Sequence, residues 1–203
     1  MAGILFVISA PSGTGKTTIA KAVQARMDGL EWSVSFTTRP PRQNELDGRE
    51  YHFVESETFE QMVAAGDFLE NAFVFGNRYG TGMRQTLDRL ASGDDLLVEI
   101  DVQGAAQIRA SEVEAVLVMI LPPDFATLEG RLIGRDSETT EQQRGRLAMA
   151  RVEAEAYDTF DYVVMNRDVE SAVAEVASIV TAERRRVRRC RDEAEAVLES
   201  FPK

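Results

Sequence analysis

The stretch ILFVISAPSGTGKTTIAKAV, residues 4–23, decides the fold. Its first five residues, Ile4–Ile8, form a continuous apolar run of the kind that makes a strand buried on both faces. The chain then breaks into small residues, and Ile19, Ala20, Val23 and Met27 recur at helical spacing until Gly29 ends the pattern. Between strand and helix lies APSGTGKT, Ala10–Thr17. It fits the relaxed form of a phosphate-binding loop, with alanine where the strict pattern has its first glycine. Small residues let successive backbone N–H groups turn inward onto anionic oxygens, and the following helix aims its positive end at the same point. Lys16 would neutralise the β- and γ-phosphates, and the Thr17 hydroxyl would face a magnesium ion. Ala10, Pro11, Ser12, Gly13, Thr14, Gly15, Lys16, Thr17 and Thr18 are therefore candidate ligands of a nucleoside triphosphate.

Outward from this loop, short apolar runs recur at Leu96–Ile100, Val116–Leu121 and Tyr162–Met165, separated by helix-like segments. That order predicts an α/β fold with a parallel sheet core and flanking helices. Two stretches break the rhythm. Residues 33–95 carry short strand-like pieces (WSVSFTT, EYHFV, NAFVFG) and two helices, Ser56–Ala65 and Gly82–Ser92, and read as a mixed α/β insert between the first and second core strands. Residues 131–146 are polar and arginine-rich, and read as a small mobile lid. The expectation is one domain over 1–203, with its core in 1–32, 96–130 and 147–203.

Composition narrows the function classes. A net charge of −11 disfavours a nucleic-acid partner, and no apolar run approaches the roughly 18 residues a membrane span needs. The single cysteine, Cys190, suits a reducing compartment, and MAGILFVISA reads as a first strand rather than a signal peptide, so a cytoplasmic location is expected. The arginine-rich tail ERRRVRRCRDEAEAVLES is read as a solvated helix balanced by its later acids.

What accepts the phosphoryl group is written in SFTTRPPRQNELDGREYHF, residues 35–53. Arg39 and Arg42 flank two prolines. Prolines favour an extended helix of about three residues per turn, so both guanidiniums lie on one face and can grip one anion. FLENAFVFGNRYGT (68–81) and LLVEIDVQG (96–104) follow. With these blocks in place, the chain resembles guanylate kinases over nearly its whole length to about residue 185. The resemblance implies a phosphate-loop nucleoside monophosphate kinase fold that moves the γ-phosphoryl group of MgATP to GMP or dGMP. It implies a GMP-phosphate site of Arg39, Arg42, Tyr51 and Tyr79, and a guanine site of Ser35, Glu70, Thr81 and Asp101. Asp101 can equally serve magnesium through a water. It further implies a lid carrying Arg131, Arg135 and Arg146, which close on the triphosphate with Lys16, and Asn166 near the ATP base. Guanine offers N1–H and an amino group as donors, which a buried carboxylate such as Glu70 accepts and adenine cannot match. No general base is required, because the acceptor is already an ionised phosphate. His52 reads as structural. The sequence leaves a homo-oligomer open. Two rival readings are a scaffold-type binding module that has lost catalysis, at odds with the intact Lys16 and Thr17, and a sugar-phosphate kinase, which would not need Glu70 and Thr81. Phe36, Asn71, Asp136 and Gly145 depart from the family pattern.

Overall fold

The computed structural model describes residues 2–74, 76–133 and 140–202. Its core is a five-stranded, all-parallel sheet ordered β2 (Leu30–Trp32), β7 (Asp95–Glu99), β1 (Leu5–Ser9), β8 (Ala115–Leu121) and β9 (Tyr162–Met165). Alternation along β1 builds both halves of the core. Phe6 and Ile8 face α1 (Lys16–Arg26) and α7 (Val169–Arg184), packing with Ile19, Val23, Val173 and Val176. Leu5 and Val7 face the other way, with Leu90 of α3 (Met83–Ala91) and with Ala105 and Ile108 of α4 (Val102–Ala110). Every β1 residue is buried, as a central strand covered by helices on both faces requires. The phosphate loop is therefore held at both ends by core side chains, each stabilising the fold by about 1.5–3 kcal/mol.

The insert makes a second, mixed sheet ordered β4 (Tyr51–Phe53), β3 (Ser35–Thr37), β6 (Asn77–Gly82) and β5 (Phe68–Val74). Helix α2 (Ser56–Ala65) covers its back through Phe59, whose ring stacks on Phe68 at 4.5 Å. Because Leu30–Trp32 pairs with β7 in the core sheet, the insert lies between the second and third core strands, not the first and second.

After β8, α5 (Phe125–Ile133) and α6 (Thr140–Glu155) flank residues 134–139, and a short 3₁₀ turn (Ala156–Thr159) leads into β9. Leu128, Leu132 and Ala150 bury against one another, with Leu147 beside them. Neither end of the expected lid, 131–146, coincides with a helix end. Arg135 and Asp136 lie outside the described residues.

The last helix, α8 (Val187–Glu199), buries none of its residues fully. The arginines before and within it find partners in the chain. Arg184 reaches Asp95 at 2.7 Å and Arg186 reaches Glu183 at 2.7 Å, while Arg188 pairs with Glu114 and Arg189 donates to the Ala2 carbonyl. These contacts join the tail to the amino ends of the core strands.

Candidate functional site

The carboxyl ends of β1 and β7 and the facing side of the insert sheet enclose three adjoining cavities. In the phosphate loop, Gly13 and Gly15 both take the left-handed backbone, at φ 89° and 94°, which only glycine adopts without strain. Gly15 precedes the first residue of α1, so the turn that exposes the loop N–H groups also starts the helix. Lys16 Nζ donates to the Ile100 carbonyl at 2.6 Å, and the Thr17 hydroxyl donates to Glu99 Oε1 at 2.6 Å. Ala10, Pro11, Ser12, Gly13, Gly15, Lys16, Thr17 and Thr18 line a loop cavity of about 250 Å³, together with Glu99, Asp101 and Glu153. Thr14 is buried beneath the loop. Its carbonyl accepts from Asn166 Nδ2 at 2.6 Å and from Arg131 Nη1 at 3.3 Å. Asn166 and Arg131 thus brace the loop from behind. The Asn166 Oδ1 is buried without a hydrogen-bond partner.

The second cavity, about 190 Å³, is lined by Lys16, Ser35, Tyr51, Glu70, Tyr79 and Asp101 among others. Strand register builds it. Tyr51 pairs with Ser35, Phe36 with Gly80, and Thr81 with Glu70, so Tyr51, Ser35, Thr81 and Glu70 form one row across all four insert strands. Thr81 donates to Glu70 Oε1 at 2.6 Å, and the Ser35 hydroxyl lies 3.3 Å from that of Thr81. Glu70 is only 3% exposed. Burial pushes its carboxyl up to about 7, and the nearby Asp101 adds to the rise. Its other oxygen lies against Gly104, where an added Cβ would fall 2.4 Å away. Asp101 accepts from the Gly104 N–H at 2.8 Å and caps α4, leaving it on the shared wall of this cavity and the loop cavity. Phe36, on the opposite face of β3 from Ser35, packs on the His52 ring at 4.7 Å with the planes tilted by 34°, and so stays clear of this cavity.

The third cavity, about 580 Å³, is lined on one side by Arg39, Arg42, Arg49, Tyr51 and Tyr79, and on the other by Thr17, Lys21 and Glu99. Arg39 meets Glu45 with two N–H groups, at 2.9 and 3.0 Å, and Glu45 also accepts from the Arg42 N–H at 2.8 Å. A carboxylate held by two parallel donors is the geometry a phosphate would take. The Arg39 contact holds the Glu45 carboxyl below its ordinary value. Desolvation, with Glu99 and Tyr79 near, pushes the Tyr51 hydroxyl up to about 12, so it stays a proton donor.

The chain matches the family model described as guanylate kinase over residues 3–183. A guanylate kinase of Neisseria gonorrhoeae is 49% identical over 180 residues, covering 89% of this chain and 88% of its relative. One from Syntrophotalea carbinolica is 47% identical over 192 residues, covering 95% and 91%. The crystal structure of guanylate kinase from Anaplasma phagocytophilum superposes with a TM-score of 0.76 at 30% identity, covering 93% of this chain and 89% of that one. The chain belongs to the guanylate kinase family.

Among the residues expected from sequence, the fold gathers Lys16, Ser35, Arg39, Arg42, Tyr51, Glu70, Tyr79, Thr81 and Asp101 around the two insert-side cavities. Arg131 sits behind the loop, and Arg146 lies half-buried on α6. Sequence reasoning passed over Glu99, Glu45 and Glu153. Glu99 had a visible signal, an acid at the carboxyl end of an apolar strand, where ligands of α/β sheets bind. Glu153, whose carboxyl burial raises, accepts from the Ser12 N–H at 2.9 Å across 141 residues, a contact that no local pattern announces.

Proposed function

We propose that this chain transfers the γ-phosphoryl group of ATP to GMP and dGMP, with the three cavities holding base, acceptor phosphate and triphosphate. The observation that carries this reading is their sharing of walls. Tyr51, Tyr79 and Glu99 border both the base and the acceptor-phosphate cavities, while Lys16, Glu99 and Asp101 border both the base and the loop cavities. A nucleotide with guanine against Glu70 and phosphate at Arg39 and Arg42 would therefore present an oxygen toward Thr17 and the phosphate loop, as in-line transfer needs.

In this reading Ser35, Glu70, Thr81 and Asp101 recognise guanine, and Tyr51 and Tyr79 add hydroxyl donors to the arginine clamp. The loop N–H groups from Gly13 to Thr18 hold the triphosphate. Asn166 acts at the ATP end by bracing the loop, and Arg131, Arg135 and Arg146 serve the lid. The acceptor phosphate needs no base, so the protein supplies alignment and positive charge.

A magnesium ion fits the donors present. The Thr17 hydroxyl, Glu99 and Asp101 are hard oxygen ligands beside the loop, and the described residues hold no cluster of three or more metal-ligating side chains. That suits an ion that takes most of its ligands from phosphates and water. When bound it would neutralise charge on the β- and γ-phosphates. No described helix is long and apolar enough to cross a membrane. The half-buried free Cys190 suits a reducing cytoplasm.

The test is ADP release. It is expected only when ATP, GMP and magnesium are all present, and chelating the metal should abolish it. Equal ADP release without GMP would make the protein an ATPase and overturn the proposal.

A further inference from the structure

Successive turns of helix α4 meet the base cavity and the strand that carries Glu70. Asp101 caps it, and Gly104 receives the Glu70 carboxylate. One turn further on, the exposed side chain of Gln107 meets the backbone of Asn71, the residue after Glu70. Its Oε1 accepts from the Asn71 N–H at 3.0 Å, and its Nε2 donates to the Asn71 carbonyl at 2.7 Å. Strand β5 is the outer strand of the insert sheet, paired on one side only, with β6. Gln107 therefore acts as a one-residue strand partner on an otherwise open edge.

We propose that Gln107 is a positioning residue that sets guanine discrimination through Glu70. The inference rests on the reading of Glu70 as the guanine acceptor. Glu70 has one oxygen fixed by Thr81 from within the insert sheet and the other facing Gly104 on α4, so its aim depends on how β5 sits against α4. Backbone hydrogen bonds in both directions fix β5 along and across its axis, which one bond alone would not do. The same contact also sets the spacing between Glu70 and Asp101, the two carboxylates bordering the cavity. A side-chain amide is uncharged, so the effect on the site is geometric rather than electrostatic. The bland alternative is that Gln107 merely covers a free strand edge. It predicts a loss of stability with no change in substrate preference.

The experiment compares GMP with inosine monophosphate, which keeps the N1–H but lacks the exocyclic amine. Gln107→Leu and Gln107→Glu are measured beside the parent and Glu70→Gln. Gln107→Glu keeps every carbon and the acceptor for Asn71 N–H, but puts a carboxylate oxygen against the Asn71 carbonyl, so it isolates the hydrogen bond from packing. Both Gln107 variants are expected to raise KM for GMP about tenfold, the size of weakening one charged hydrogen bond between Glu70 and guanine. The GMP to inosine monophosphate ratio of kcat/KM should narrow by at least about threefold, because a misaimed carboxylate loses its second donor first. The KM for ATP should stay within about twofold, and because the lost bonds lower the melting temperature by a few degrees under either reading, the substrate ratio is the deciding readout. If the ratio is unchanged in both Gln107 variants while Glu70→Gln collapses it, Gln107 has no positioning role and the reading of Glu70 stands. If Glu70→Gln also leaves the ratio unchanged, the underlying reading fails and takes this inference with it.

Discussion

Replacing Glu70 by Gln should move stability and affinity in opposite directions. The carboxyl titrates near 4.5 when free and is pushed up to about 7 by burial in the fold. Between those values the folded chain binds the proton more tightly than the unfolded chain. The stability this provides is present at low pH and is lost as pH rises toward 7. At about 1.4 kcal/mol for each pH unit separating the two values, ionised Glu70 costs about 3 kcal/mol at pH 8. Glutamine removes that cost and keeps an oxygen for the Thr81 hydroxyl. The ligand-free variant should therefore melt about 5–10 °C above the parent at pH 8, and the two should converge near pH 4.5. GMP binding should go the other way. Losing the charged acceptor for guanine costs about 2–3 kcal/mol, or roughly 30- to 150-fold in KM. In the parent the ionised fraction climbs from about 9% at pH 6 to about 91% at pH 8, so kcat/KM for GMP should rise about tenfold from this group. Ionisation of the GMP phosphate adds about twofold more, and only that part should survive in the variant. Thermal denaturation and a coupled ADP assay across pH read both quantities. A variant that melts below the parent at pH 8, or whose kcat/KM rises as steeply as the parent's, would refute the reasoning.

Two further outcomes follow from the geometry. Lys16→Ala should lower kcat by about 10³-fold with little change in melting temperature, since among the described residues the ammonium makes one protein hydrogen bond, to the Ile100 carbonyl; steady-state kinetics with saturating GMP checks it. Asp95 accepts from the Ile4 N–H at 2.7 Å and from Arg184 at 2.7 Å, far from the cavities. Asp95→Asn should cost about 1–2 kcal/mol and lower the melting temperature by about 3–6 °C, with both KM values unmoved.

The elements legible in the sequence were those with local signals. The phosphate loop carries its own chemistry within eight residues, and helix Ser56–Ala65 and strand Tyr162–Met165 fall where periodicity and branched residues put them. Strand Leu30–Trp32 was not legible, because three residues show no period and its partner, β7, lies some 65 residues on. The lid boundaries were drawn where composition turns polar, but α5 carries its apolar stripe through Leu128 and Leu132 past that point. At the site, the residue types Ser35, Tyr51, Glu70 and Thr81 could be named in advance, whereas their alignment in one row is a matter of register. Register depends on a bulge between Phe68 and Glu70 that no short motif reveals. The Glu45 clamp on Arg39 was hidden for a different reason. In the sequence Glu45 is one of many acids, and only the fold of the proline-rich loop brings it onto the guanidinium.

The central claim is that a buried carboxylate opposite the phosphate loop selects guanine. The most direct measurement is kcat/KM for GMP, AMP, CMP and UMP as acceptors of the ATP γ-phosphoryl group at pH 8. A preference for GMP over AMP of about 10⁴-fold or more is predicted, because adenine would offer the buried, ionised Glu70 no donors beyond the Thr81 hydroxyl it already has. Comparable turnover of AMP and GMP would contradict the account.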